Sequence, residues 1–137
     1  MKKSFNHKIK VYYEDTDAGG VVYYANYLKF LERARTDALS DIGLSNLKIK
    51  RDYGAYIVVK SCNIHFNKSA NLEDQLKINS FVTSFSKTSF TMSQSIFRKK
   101  DIIVKSDVHL VFVNDKKKPV KIPEKILKCL KPFLSTN

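Results

Sequence analysis

Residues 25–42 carry apolar side chains at helical spacing, and no other long stretch of the chain does so. Tyr27, Leu31, Ala34, Ala38 and Ile42 recur every three or four positions, with Leu28 and Leu39 in support, which puts them on one side of a helix. Arg33, Arg35 and Asp37 fall away from that side and are expected in solvent. Asn26 suits the N-cap and Gly43 the stop. A long helix with one apolar side has to lie on something flat. The rest of the sequence supplies it: residues 56–66, 75–85, 89–98 and 102–113 alternate with period two, as strands do. Residues 7–14, rich in Val, Ile and Tyr, read as a strand ahead of the helix. Residues 44–51 read as a loop. Within 56–66, Val58, Cys62, Ile64 and Phe66 are expected on one face.

The order is therefore strand, helix, then four strands. Lys99-Lys100-Asp101 predicts a tight hairpin, and strands joined by short turns run antiparallel. Residues 123–130 predict a short final helix with Pro123 in its first turn. The expected fold is α+β: a curved antiparallel five-stranded sheet wrapped around one long central helix, as a single domain across the 137 residues. An exposed edge strand invites a second copy, so a homodimer or homotetramer is expected.

Composition narrows the partners. No run of about 18 apolar residues is present for a membrane span, and MKKSFNHKIK lacks the apolar centre of a secretory signal. Cys62 and Cys129 have no metal-type spacing, so a reduced, cytoplasmic protein is expected. The formal net charge of +12 favours anionic partners: nucleic acid, an anionic membrane surface, or a polyanionic small ligand. Lysines supply most of it and are scattered, with one cluster at Lys116 to Lys118 in an expected solvated turn. Nucleic-acid modules group arginines and aromatics on one face, so nucleic acid is not expected, while peripheral membrane association stays open.

Glu14, Asp15 and Asp17 sit in a turn with Gly19 and Gly20, shortly before the helix. A helix N-terminus presents unpaired N–H groups and roughly half a positive charge. That can hold a carbonyl oxygen as it becomes an oxyanion, and a nearby carboxylate can attack the carbonyl or activate water. The pair suits hydrolysis of an activated acyl group, above all a thioester, whose thiolate leaves readily. Asp-x-Asp in a glycine turn is also compatible with a solvated turn or a metal site, although no His or Cys cluster adds ligands.

The run EDTDAGGVVYYANYLKFLERAR resembles the signature of the 4-hydroxybenzoyl-CoA thioesterase family, in its branch associated with the bacterial Tol–Pal gene cluster. The resemblance implies a hotdog fold and hydrolysis of acyl-CoA, or of an acyl-carrier-protein thioester, without metal or cofactor. By position it matches Asp17 to the family's catalytic aspartate and the Tyr24 backbone N–H to its oxyanion contact. Asp15 is then expected to shape the turn. The family builds its site between two subunits and lays CoA along loops that match Asn67-Lys68 and Ser86-Lys87-Thr88-Ser89. Tyr23 and Asn26 complete the candidate substrate-binding set. One departure stands out: the Tol–Pal branch usually carries histidine where this chain has Tyr24, so any role of that imidazole is unfilled.

Rival assignments are few. Glu32 is a second candidate carboxylate, read as a surface or interface residue. Among the three histidines, His65 and His109 are expected as partnered sheet residues and His7 as exposed, which disfavours a hotdog dehydratase. Cys62 is expected as a small core hydrophobe, and Tyr27 as core or acyl-pocket lining. The alternative function is a non-catalytic module that binds acyl carriers or nucleic acid.

Overall fold

A computed structural model describes residues 3–135. The elements in order are β1 (Phe5–Lys10), α1 (Asn26–Asp41), α2 (Asn46–Tyr53), β2 (Tyr56–Phe66), β3 (Gln75–Phe85), β4 (Ser89–Arg98), β5 (Asp101–Val113) and α3 (Glu124–Leu130), with single 3-10 turns at Tyr13–Asp15 and Lys131–Phe133. The five strands form one sheet in the order β1-β3-β4-β5-β2, and every neighbour is antiparallel. The hairpin at Lys99-Lys100 is present, with Lys99 at φ 55.

Three expectations are corrected. The first strand begins and ends earlier than residues 7–14, because the Asp15 carboxylate accepts the Tyr12 N–H at 2.9 Å and closes the chain into a 3-10 turn. The expected loop at 44–51 is helix α2. The Ser45 side chain caps it by accepting the Lys48 N–H at 3.2 Å, and Gly54 ends it at φ 61. Only Ile49 is buried in α2, and one anchor leaves no periodic trace in sequence. In β2 the pairing register shifts between Val59 and Ser61. Such a bulge reverses which side chains point inward, so Ile57 and Val59 share the helix side with Cys62, Ile64 and Phe66. Val58 belongs to the opposite face. Cys62, on the last strand of the sheet, is exposed and not core.

Two apolar clusters lie between α1 and the sheet. Phe30, Leu31 and Ala34 join Ile78, Ile96 and Val104, while Ala38 and Leu39 join Phe90, Leu110, Phe112 and α3's Ile126 and Leu130. A buried polar row, Ser80–Gln94–Ser106, crosses three strands in register. Gln94 donates to the Leu31 carbonyl at 3.1 Å and to Ser80 Oγ at 3.0 Å, and accepts from Arg35 Nη1 at 3.0 Å. Arg35, expected in solvent, is therefore half-buried, and burial pushes its guanidinium pKa down against the opposing pull of Glu32.

The two sheet edges differ. β1 is a strand of 6 residues carrying Lys8 and Lys10, and past its end Leu134 pairs with Val82 while the Ser135 N–H donates to the Val82 carbonyl at 2.7 Å. Short length, lysines and a covering segment all discourage further pairing. β2 has 11 residues, with Val58, Val59 and Phe66 exposed along it. It is the open edge among the described residues.

Tyr27 anchors the start of α1. Its ring is 3% exposed and its hydroxyl accepts the Ala70 N–H at 3.0 Å. Tyr27→Phe removes that acceptor and is expected to destabilise the fold by about 1–3 kcal/mol in denaturant titrations, the range for an orphaned buried donor. Burial raises the Tyr27 phenol above its ordinary 10.0. The neutral ring is thus favoured by folding, and its contribution is complete below pH 10.0 and lost as pH climbs through the raised value. The Phe variant lacks that alkaline loss.

Candidate active site

The turn between β1 and α1 sends its two aspartates opposite ways. Asp15 is buried, accepting the Asn26 Nδ2–H at 2.9 Å on Oδ1 and the Tyr12 N–H at 2.9 Å on Oδ2. Its carbonyl also takes the Tyr23 N–H at 2.9 Å. Asp15 thus ties the turn to the helix. Asp17 is exposed: Oδ1 accepts the Gly19 N–H at 2.8 Å, and Oδ2 has no partner among the described residues. No basic side chain among the described residues lies within ion-pair distance of it. The turn is closed by Asp17 N–H to Val21 O at 2.9 Å and Gly20 N–H to Asp17 O at 3.0 Å, with Gly20 at φ 80, where a side chain would be strained. One carboxylate is tied into the turn, and the other keeps one oxygen unbonded among the described residues.

At the helix tip, Ala25 and not Asn26 is the N-cap, and no side chain caps it. Asn26 lies inside the first turn with its amide donating to Asp15, so the structure gives it a bracing position and not a substrate-facing one. The first turn tightens through Tyr27 N–H to Tyr24 O at 3.3 Å and Leu28 N–H to Ala25 O at 3.2 Å. The N–H groups of Tyr24 and Ala25 have no acceptor among the described residues, and the first turn holds no acidic residue. The tip keeps its partial positive charge. The Tyr24 ring is 63% exposed and meets Phe66 edge-on at 6.1 Å, with Tyr23 tilted against it at 5.1 Å.

Strand register places the remaining candidates. Lys10, Gln75, Arg98, Asp101 and Phe66 share one end of the sheet, and the Asp17 turn leaves from that end. Asn67 and Lys68 follow Phe66 there. Both backbone N–H groups donate to the Ile103 carbonyl, and Lys68 Nζ makes an exposed 3.3 Å contact with Asp101. Ser86, Lys87, Thr88 and Ser89 form the β3–β4 hairpin at the other end, the length of an 11-residue strand away, or about 35 Å at about 3.3 Å per residue. There Ser86 Oγ accepts the Ser89 N–H at 3.0 Å, Ser89 is buried, and Lys87 O accepts the Ile122 N–H at 2.9 Å. Within one protomer this hairpin is not brought to Asp17.

Glu32 is exposed and accepts the Thr36 hydroxyl at 2.7 Å. His109 meets Thr91 Oγ1 at 3.1 Å as expected, whereas His7 is largely covered and pairs with Asp41 at 3.0 Å, and His65 is exposed. None of the three joins the turn. Sequence reading missed the brace beneath the turn: Arg98 grips Asp74 at 2.7 Å and Ser69 O at 3.1 Å, and Asp74 O accepts the Val11 N–H at 3.0 Å. These residues sit at strand ends without periodic or motif signal.

Gly19 gives the turn a direct test. A Cβ there would stand 3.2 Å from Asp17 Oδ1, on backbone outside the left-handed region. Gly19→Ala is expected to fold normally, shift the carboxylate by a few tenths of an ångström, and lower kcat by about tenfold, since small misplacements of a reacting group are costly.

Residues 11–130 match the thioesterase-like superfamily. The chain is 34% identical over 127 residues to the acyl-CoA thioesterase YbgC of Haemophilus influenzae, covering 92% of this chain and 93% of that protein. It superposes on the crystal structure of a probable thioesterase from Bartonella henselae with a TM-score of 0.84 at 30% identity, over 88% of this chain and 100% of that one. A 4-hydroxybenzoyl CoA thioesterase mutant complexed with 4-hydroxybenzoyl CoA shares the fold at a TM-score of 0.86 and 20% identity, over 93% and 99% of the two chains.

Proposed function

Because the chain belongs to the thioesterase-like superfamily, with the hotdog architecture of its solved neighbours, we propose that it hydrolyses an acyl-CoA thioester to the free acid and coenzyme A. The observation that carries the site assignment is the exposed, cation-free Asp17 carboxylate on a turn braced to a helix tip with two unbonded N–H groups. The thioester carbonyl oxygen accepts the Tyr24 N–H. Asp17 supplies the electron pair, directly to the carbonyl carbon or by taking a proton from water. The tetrahedral oxyanion collapses and expels the CoA thiolate, which leaves the free acid on the water route and, on the direct route, an Asp17 mixed anhydride that water then cleaves to the free acid. Because a backbone N–H does this work, tyrosine in place of histidine at position 24 leaves the oxyanion contact in place.

The site is completed by a second copy. The open β2 edge pairs antiparallel with its counterpart, which gives one continuous sheet and sets β3–β4 hairpin residues of one copy within the other's reach. Lys68, and Lys87 from the second copy, suit CoA phosphates as point charges. The thiols of Cys62 and Cys129, unbridged in the structure, fit a reducing cytoplasm.

Thiol release from a panel of acetyl-, octanoyl- and aryl-CoA thioesters tests the activity. Turnover of at least one class is expected. Release from none of them would put a non-catalytic acyl-carrier module in its place.

A further inference from the structure

The side of the sheet turned away from α1 carries a block of lysines with no acidic partners. Leu76, Ile78 and Ser80 are buried on the α1 side, so period two turns Lys77 and Asn79 the other way. Register carries that face onto the neighbouring strands: Lys8 stands opposite Lys77, and Lys77 opposite Phe97, in a row about 10 Å wide. Lys10 extends the block from Lys8, and Lys99 and Lys100 extend it from Phe97 at the β4–β5 hairpin. Lys77, Asn79, Phe97, Lys99 and Lys100 border one open depression.

Lys8, Lys10, Lys77, Lys99 and Lys100 are all exposed, and none of them makes an ion pair among the described residues. The five strands hold two acidic residues, Asp101, which meets Lys68 at 3.3 Å, and Asp107, which lies further along β5 beyond Lys105. The block therefore keeps its charge.

Three kinds of anion could answer it, and the details separate them. A discrete phosphate site needs donors held in place and aimed at one spot. The amide in the depression, Asn79 Nδ2, is already spent on Ser4 Oγ at 2.8 Å and Asn6 Oδ1 at 3.0 Å, and the lysines stand apart on flexible stems. Nucleic acid is held by a basic groove with stacking aromatics and arginines. Arg98, the arginine beside this row, is turned to Asp74 and Ser69. A bilayer asks for lysines spread over a broad face, with apolar side chains among them to enter the headgroup layer. Phe97 is half-buried there, and Ile102, its pairing partner on β5, is 37% exposed.

We propose that this face docks the protein on an anionic phospholipid surface, with the five lysines toward the headgroups and Phe97 and Ile102 between them. The proposal stands apart from the thioesterase reading and from any pairing of copies.

Flotation with vesicles of phosphatidylcholine alone, and of equal parts phosphatidylcholine and phosphatidylglycerol, tests it. The protein should float with the anionic vesicles only, and salt raised from about 0.05 M to about 0.5 M should release it. Lys8→Gln, Lys77→Gln and Lys100→Gln together should lower the partition coefficient by about a hundredfold, at about fivefold for each lysine removed. Lys77→Gln alone should lower it about fivefold and serves if the triple variant misfolds. Lys116→Gln, Lys117→Gln and Lys118→Gln together remove the same charge beyond the opposite end of β5 and should leave the partition nearly unchanged. Equal losses in the two triple variants overturn the proposal. So does a failure to float with the anionic vesicles at about 0.05 M salt, or equal flotation with the neutral ones. Duplex DNA held at physiological salt and released by the Lys8, Lys77 and Lys100 substitutions, with vesicles ignored, would assign the face to nucleic acid instead.

Discussion

Asp17→Asn lowers thiol release from the best acyl-CoA substrate by about 10²–10⁴-fold, the range for removing a positioned acid–base group, and leaves the unfolding midpoint where it was. The substitution is nearly isosteric. Asn keeps an oxygen to accept the Gly19 N–H that Asp17 Oδ1 takes at 2.8 Å, so the turn survives. No ion pair among the described residues depends on the lost charge, and changes at exposed sites free of such ties stay within about 0.5 kcal/mol of wild type. What disappears is the negative charge and the basicity of an exposed carboxylate. Steady-state kinetics beside a denaturant titration reads both halves. Full turnover in this variant would reject Asp17, and Glu32→Gln would be the next variant to assay.

Phe30→Ala gives the largest loss of stability expected from a single change in α1, about 3–5 kcal/mol, out of the roughly 5–15 kcal/mol that holds a typical domain together. The ring is 1% exposed, lies edge-on to Tyr27 at 6.1 Å, and belongs to the cluster with Leu31, Ile78 and Ile96. Its removal leaves a void directly beneath the part of the helix that carries the tip. Leu28→Ala is the contrast: that side chain is exposed, and its loss changes the folding free energy by no more than about 0.5 kcal/mol. Equal midpoints for the two variants in urea would contradict the way α1 lies on the sheet.

Those two residues also mark where the sequence was and was not legible. The stripe through Tyr27, Leu31, Ala34 and Ala38 is buried as the spacing predicts. Its width was misjudged, since Phe30 faces the sheet and Leu28 does not. Helical spacing fixes the centre of an apolar face more sharply than its borders. The five strands follow from period two and the antiparallel run β3-β4-β5 from its short turns, which are local signals, whereas the places of β1 beside β3 and of β2 beside β5 have none. The bulge at Lys60 and the helix α2 escape notice for a shared reason: each depends on one residue, an unpaired Lys60 or a single buried Ile49, and pattern reading needs several. In the turn, Asp15 and Asp17 are chemically alike in sequence. Only the resemblance separated them; in the structure they differ because Asn26 and the Tyr12 N–H fill both oxygens of Asp15, whereas Asp17 has the Gly19 N–H on Oδ1 alone.

The pairing of Leu134 with Val82 and the 2.7 Å bond from Ser135 have a practical outcome for anyone handling the protein. Trimming the polypeptide at Phe133 would strip the guard from the bottom of β3 and bare its backbone to stray chains. A preparation clipped there should cloud or form fibres on storage, while thiol release, proposed at the opposite pole of the sheet, should persist in the fraction that stays dissolved.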